Sequence, residues 1–217
     1  MCGAIIPHGA QPPSDCESFP VFIWTTSGDT VPGRVEEIVF SSTCMACIIS
    51  ELDLAELKTN SNVTFETPSF EEVGRMNERA YITESETALG DIKAGIFVDL
   101  LKNICDPCIK THGLRERHGG SFVCVAVTVT IGDHVGIHYI VTEKAYRRRG
   151  FASKLIHGIL VQARDDGICT ASVPIMCCAE LYEKLGFRKV ATMRGFYRPA
   201  FVAQNSRTRK TSHPDDL

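Results

Sequence analysis

Two periods of apolar residues take turns along this chain. In residues 35–57, Ile38, Val39, Cys47, Ile48, Leu52 and Ala55 recur at about helical spacing, which predicts a helix. Val63-Thr64-Phe65 alternates as a short strand. Thr67-Pro68-Ser69 then opens a second helix, with Ser69 as N-cap and Glu71 and Glu72 at the positive end of its dipole. Val73, Met76, Asn77 and Ala80 continue it. A third helix is predicted over 86–105 on the face Leu89, Ile92, Ile96, Leu100 and Ile104, stopped by Pro107 and the Gly119-Gly120 pair. From Ser121 the period shortens. Phe122, Val123, Cys124, Val125, Val127, Val129 and Ile131 predict a buried strand, Gly132-Asp133 a tight turn, and 134–142 an antiparallel partner. Residues 148–165 return to the helical period with Leu155, Ile156, Ile159, Leu160 and Ala163 inward. A strand over 168–173, a short helix over 179–185 and strands over 187–193 and 195–202 complete the pattern. The first 34 residues hold many turn formers around an apolar run at 19–26 that suits a strand, and the polar residues 203–217 are expected to be disordered.

The chain's 217 residues suit one domain, or one domain with an extension. Hydrophobic residues make up 44% and charged residues 23%, enough to bury a core and stay in water. The net charge of −3 gives no electrostatic case for a nucleic-acid partner, and Arg147-Arg148-Arg149 is too short to make such a surface. No apolar run approaches the roughly 18 residues of a membrane span; the run 44–50 stops at Glu51. Without a basic n-region before an apolar stretch, no signal peptide is expected, and the sequon Asn62-Val63-Thr64 would stay unused. The expected location is cytoplasmic.

Ten cysteines raise the question of metal. Cys44/Cys47 and Cys105/Cys108 are both Cys-x-x-Cys pairs, and four thiolates would make a closed zinc site if the fold joined them. The gap of 57 residues between the pairs is far longer than in compact zinc modules, and Cys44 and Cys47 sit in an apolar pattern. The expectation is free thiols and no metal, with Cys177-Cys178 also packing residues.

The chemistry concentrates after the second strand. Arg147-Arg148-Arg149-Gly150-Phe151-Ala152 has the form Arg-x-x-Gly-x-Ala between a strand and a helix, and such a loop can aim backbone N–H groups at a pyrophosphate. Thirty residues later comes Tyr182-Glu183-Lys184-Leu185-Gly186-Phe187. In this order and context the two segments resemble motifs A and B of the GNAT superfamily of acyl-CoA-dependent N-acyltransferases, over about 124–199.

The resemblance implies an α/β GNAT-like fold, a mixed, mostly antiparallel sheet with helices on both faces. The domain would run over 62–202, with 1–61 as a partly helical extension. It implies acetyl-CoA as co-substrate and an amine as the other partner, with transfer of the acetyl group to a primary amine, first of all of a small molecule. The pantetheine arm would lie along Ile140, Val141 and Thr142. The pyrophosphate would meet Arg147, Arg148, Arg149, Gly150, Phe151, Ala152 and Ser153. His138 would be the base, acting through water, as a histidine does at this place in arylalkylamine-type relatives. His134, two pleats away on the same face, and Glu143 are the other candidates. Tyr182 would protonate the departing thiolate, while Gly186 and Phe187 have structural reasons of their own. Two features depart from the family: no strand is evident just before Phe122, and Ile175 stands where an asparagine is common. A protein lysine or N-terminus as acceptor, and a non-catalytic CoA-binding or zinc-dependent interaction module, are the competing expectations.

Overall fold

In a computed structural model of the chain, the described residues are 23–26, 38–54, 62–84, 98, 101, 104, 106–117, 120–175 and 178–196. The elements run β1 (Ile23–Thr26), β2 (Ile38–Ile48), β3 (Val63–Glu66), α1 (Phe70–Glu84), β4 (Ile109–Glu116), β5 (Phe122–Ile131), β6 (His134–Thr142), α2 (Phe151–Asp165), β7 (Thr170–Ile175), α3 (Ala179–Glu183) and β8 (Arg188–Phe196). Two compact units emerge, one of Met45–Lys189 and one of Met1–Cys44 with Val190–Leu217. In the second, β1 pairs antiparallel with β8 from Ile23↔Phe196 to Thr26↔Met193. Residues 45–54, expected in the extension, belong to the first. Among the described residues no helix is long and apolar enough to cross a membrane.

In the unit Met45–Lys189 the strands lie in the order β7-β6-β5-β4-β3, antiparallel except for the parallel pair β6 and β7. Alternation of side chains along β5 and β6 supplies a core on each face. Val135 and Ile137 point to one side, where α2 buries Leu155, Ile156, Ile159 and Leu160. Val125 and Val127 point to the other, where α1 buries Val73 and Met76 beside Leu101. The helix 70–84 starts as its sequence implies. Ser69 Oγ accepts the N–H of Glu72 at 3.1 Å, and Glu72 Oε2 accepts the N–H of Ser69 at 2.8 Å. That backbone N–H is the first cause holding the Glu72 carboxyl below its ordinary pKa.

Three expectations change. Residues 38–48 are a strand, followed by a single 3-10 turn at Ile49–Glu51, where a helix over 35–57 was expected. Burial follows period two: Met45, Cys47 and Ile49 are buried, whereas Ile48 and Ser50 are exposed. Because the intervening residues are small or apolar too, the same letters fit both periods. In a strand, positions 44 and 47 face opposite ways, so Cys44 and Cys47 do not form one chelating pair. Burial pushes the Cys47 thiol up to about 11. Cys105, of the other pair, lies outside the described residues. So does nearly all of the helix expected over 86–105, although Val98 and Leu101 are helical.

The second change is β4, the strand that no apolar pattern announced. Ile109-Lys110-Thr111-His112-Gly113-Leu114 is polar by composition, yet it sits inside the sheet and takes β3 and β5 as partners. Its polar groups are satisfied there: Thr111 Oγ1 donates to Pro68 O at 2.5 Å, and His112 Nε2 lies 2.9 Å from Thr128 Oγ1. A Cβ on Gly113 would stand 2.6 Å from the Phe122 ring, so glycine makes room for an aromatic. Third, β8 runs unbroken through Gly195, where two strands were expected; residues 197–202 lie outside the described set.

His112 makes acid sensitivity a testable property. The ring is 6% exposed, and burial first, then the Lys110 charge, lowers its pKa from 6.5 to about 4. The unfolded chain takes up this proton near pH 6.5 and the folded chain only near 4, so stability falls as pH drops through that window. The full effect is about 3 kcal/mol. Urea unfolding of wild type and His112→Asn between pH 7 and 4 should show a steeper acid loss in the wild type. Parallel pH curves would remove His112 as the cause.

Candidate active site

The site is made where β6 leaves its neighbours. Between β5 and β6 the register shifts: Val127 faces His138, but Val125 faces Val141, so Ala126 opposes the two residues 139 and 140. This is a β-bulge, and Tyr139 takes the left-handed conformation with φ 51 to make it. Asn77 of α1 fixes the bulge, its Nδ2 donating to Val73 O at 2.9 Å and Tyr139 O at 3.4 Å. On the other edge, β6 pairs with β7 only through His134↔Thr170, Val135↔Ala171 and Gly136↔Ser172. Both strands continue, β6 to Thr142 and β7 to Ile175, without further pairs among the described residues. Ile140, Val141 and Thr142 thus lie beyond the bulge, in the stretch of β6 that has parted from β7. An extended ligand can hydrogen-bond to backbone groups in such an opening.

The chain then turns through a single 3-10 turn, Lys144–Tyr146, into the arginine loop. Arg148 has φ 58 and Gly150 φ 80, two left-handed residues around Arg149, and α2 begins at Phe151 with Lys154 N–H bonding to Gly150 O at 3.0 Å. Among the described residues, the N–H groups of 148–153 have no acceptor. Three of them are the free donors of the first helical turn, and with the left-handed residues they form a concave nest carrying the positive end of the α2 dipole. A Cβ built on Gly150 meets nothing within 4 Å, so a side chain there would enter open space. Two arginines build this loop from within. Arg147 Nε donates to Thr142 O at 3.0 Å, tying the loop to the strand end, and the Arg149 guanidinium lies 5.3 Å from the Tyr146 and Phe151 rings alike. Arg148 is exposed. Ala152 and Ser153, expected with 147–151 to meet a pyrophosphate, stand in the first turn of α2.

His138 projects on the α1 face of the sheet, opposite Val127. Burial first and the neighbouring His134 second lower its pKa, which keeps the imidazole neutral and able to accept a proton at pH 7. Tyr182 of α3 is buried on the other face, 6.0 Å from the Phe187 ring in an edge-to-face pair and in one cluster with Phe151. The expected base and acid thus belong to different cores, His138 on the face of Val127 and Tyr182 in the cluster that α2 covers. Glu143, the other candidate base, forms an ion pair with Arg79. His134 bonds to two hydroxyls of β7. Ile175, in place of an asparagine, is buried. Of Asn77, Gly136 and Ser172, only Gly136 carried no sequence signal of a site. The bulge and the parallel register give them their places.

Residues 113–189 match the family model "Acetyltransferase (GNAT) domain". The fold is the GNAT fold. A GCN5-related N-acetyltransferase from Kribbella flavida is 17% identical, with a TM-score of 0.58 over 85% of this chain and 70% of that one. A GCN5-related N-acetyltransferase from Sphaerobacter thermophilus is 12% identical, with a TM-score of 0.59 over 82% of this chain; the match spans 59% of that protein. A tandem GNAT protein from the clavulanic acid biosynthesis pathway is 11% identical, with a TM-score of 0.52 over 83% of this chain and 64% of that one. At these identities the likeness is one of fold. No curated protein matches the chain in sequence. The GNAT match begins at Gly113 of β4 and ends at Lys189 of β8, and so includes the bulge, the nest and Tyr182.

Among the described residues of the unit Met45–Lys189, a wide groove lies elsewhere. It holds about 1060 Å³ between α2 and the strands β3 and β4, over Phe65, His112 and Leu114. None of the motif residues lines it.

Proposed function

We propose that this protein is an acetyl-CoA-dependent N-acetyltransferase that acetylates a primary amine of a small molecule. The observation that carries this reading is the open nest of free N–H groups at 148–153, set at the end of a strand that has parted from its parallel neighbour. Acetyl-CoA, the acyl donor of the family, would bring a thioester into that opening. The arms of the site divide the work. The nest and the α2 dipole hold the pyrophosphate. Backbone groups of Ile140 and Val141 guide the pantetheine, beside Thr142, whose carbonyl already accepts from Arg147. His138 takes the amine proton at its ring nitrogen, through water, so that the neutral amine attacks. Tyr182 gives its hydroxyl proton to the sulfur as the thiolate departs. The place of His138, nine residues before Arg147, supports a small amine, because arylalkylamine-type relatives carry a histidine there.

A thiol-release assay with acetyl-CoA tests the reading. The panel is tryptamine, spermidine, glucosamine, a lysine peptide and a peptide with a free N-terminus. Thiol release with acetylation of a small amine is expected. Faster turnover of a peptide would move the acceptor class to proteins, and acetyl-CoA binding without turnover on any acceptor would replace the enzyme with a binding module. Tyr182→Phe should lower kcat by at least about 10²-fold with the acetyl-CoA Kd unchanged. Near-normal kcat in that variant would make Tyr182 a core residue only.

A further inference from the structure

A glycine in the buried interior of a strand calls for a reason, because it gives the sheet no side chain to pack and loses the most chain freedom on folding. Gly136 stands in the middle of β6, buried, between Val129 of β5 and Ser172 of β7. Its pair with Ser172 is the last of the β6–β7 ladder among the described residues, so the parting of the two strands begins directly beyond it.

The reason lies two residues on. Positions 136 and 138 share a face of the strand. A Cβ on Gly136 would stand 2.8 Å from His138 Nε2, 3.5 Å from its Cδ2 and 3.8 Å from its Cε1, and these are the three atoms nearest to it. The imidazole therefore lies back along β6 with its Nε2 end over Gly136. Apolar contacts settle at about 3.5–4.0 Å, so a side chain at 136 would take the place of Nε2. What would give way is the far end of a side chain rather than backbone. The ring would move and the strand would stay.

Little else orients this ring. Among the described residues no side chain hydrogen-bonds to it. His134, on the same face, is held by β7, its Nδ1 2.8 Å from Thr170 Oγ1 and its Nε2 2.8 Å from Ser172 Oγ. From β5 the facing residues are Val127 and Val129, which pack without hydrogen-bonding side chains. From α1, Arg75 is paired with Glu71 and Arg79 with Glu143, while Glu78 accepts the N–H of Val98. Asp133 is exposed in the turn.

We propose that Gly136 is a positioning residue for the base: by carrying no side chain, it lets the His138 imidazole lie back along β6 with Nε2 beside the point where β6 and β7 part. This rests on the assignment of His138 as base. Nε2, the nitrogen that takes the amine proton through water, thus stands at the opening into which the thioester comes.

The test uses the full chain with acetyl-CoA and whichever amine of the panel turns over fastest. Gly136→Ala should lower kcat about 10²-fold, as a misplacement of about 1 Å near the reacting atoms does, with the acetyl-CoA Kd and the Tm near their wild-type values. The acid limb of its pH profile should move up toward the ordinary histidine pKa of about 6.5. A ring pushed away from Gly136 is less buried and farther from His134, the two causes that lower its pKa. In a His138→Ala background the same substitution should lower kcat no further. An equal loss in both backgrounds would make Gly136 a residue of the strand alone and overturn the positioning role. Wild-type kcat and pH profile in Gly136→Ala, beside a collapse in His138→Ala, would reject that role and leave the base assignment standing. Wild-type behaviour in His138→Ala rejects the base assignment and the positioning role with it. Wild-type protein labelled in its histidine rings and glycines gives a check that needs no variant. A nuclear Overhauser effect is expected between the Gly136 α-protons and the His138 ring, and its absence would overturn the proposal.

Discussion

Gly150→Glu is expected to abolish measurable acetyl-CoA binding, weakening it by about 10²-fold or more. Gly150 caps α2 in the left-handed conformation, φ 80, and open space lies where its side chain would be. A glutamate there sets a carboxylate beside the free N–H groups meant for phosphate, so like charges would share one nest. Backbone strain adds to this, because a non-glycine residue in that conformation costs roughly 1–2 kcal/mol. Gly150→Ala separates the two effects. It bears the strain without the charge and meets no neighbouring atom, so its affinity should fall only modestly. Calorimetric titration of acetyl-CoA into the three proteins decides. Equal affinity in the Glu and Ala variants would show that phosphate does not sit over this loop.

His138→Ala is expected to lower kcat by about 10²–10⁴-fold, the contribution of a positioned base. Acetyl-CoA affinity should stay near the wild-type value, since the contacts proposed for that ligand are backbone groups of the loop and β6. The pH profile gives the sharper signature. The wild-type rate should rise with pH as His138 loses its proton, and this limb should lie below the ordinary histidine pKa of about 6.5, because burial and His134 lower it. The variant should lose that limb and keep any limb that belongs to the amine itself. A variant with an unchanged profile would mean that His138 is not the group titrating.

The nest and its helix could be read from the letters because their physics is local. A glycine in the left-handed region, free N–H groups before Lys154 and an amphipathic run to Ala163 all lie within about one loop and one helix. The capping box of Ser69 and Glu72 was legible for the same reason, as were β5 and β6, whose β-branched residues alternate in the buried part of the sheet. The sequence also determined the motif pair of 147–152 and 182–187, and with it the GNAT likeness. Elsewhere the letters were ambiguous or misleading. Residues 38–48 carry apolar residues on both faces, so neither period excluded the other, and strand pairing settled the matter. β4 is polar by composition, and only Thr128, Pro68 and the Phe122 ring, distant in sequence, make its buried His112, Thr111 and Gly113 suitable. The Tyr139 bulge, the early end of the β6–β7 ladder and the contact of His134 with Ser172 are matters of register. Register is set by partners far along the chain, and one residue of slip would turn His138 from one face of the sheet to the other. What each residue could do was therefore written locally, and which residues work together was decided only when the strands found their neighbours.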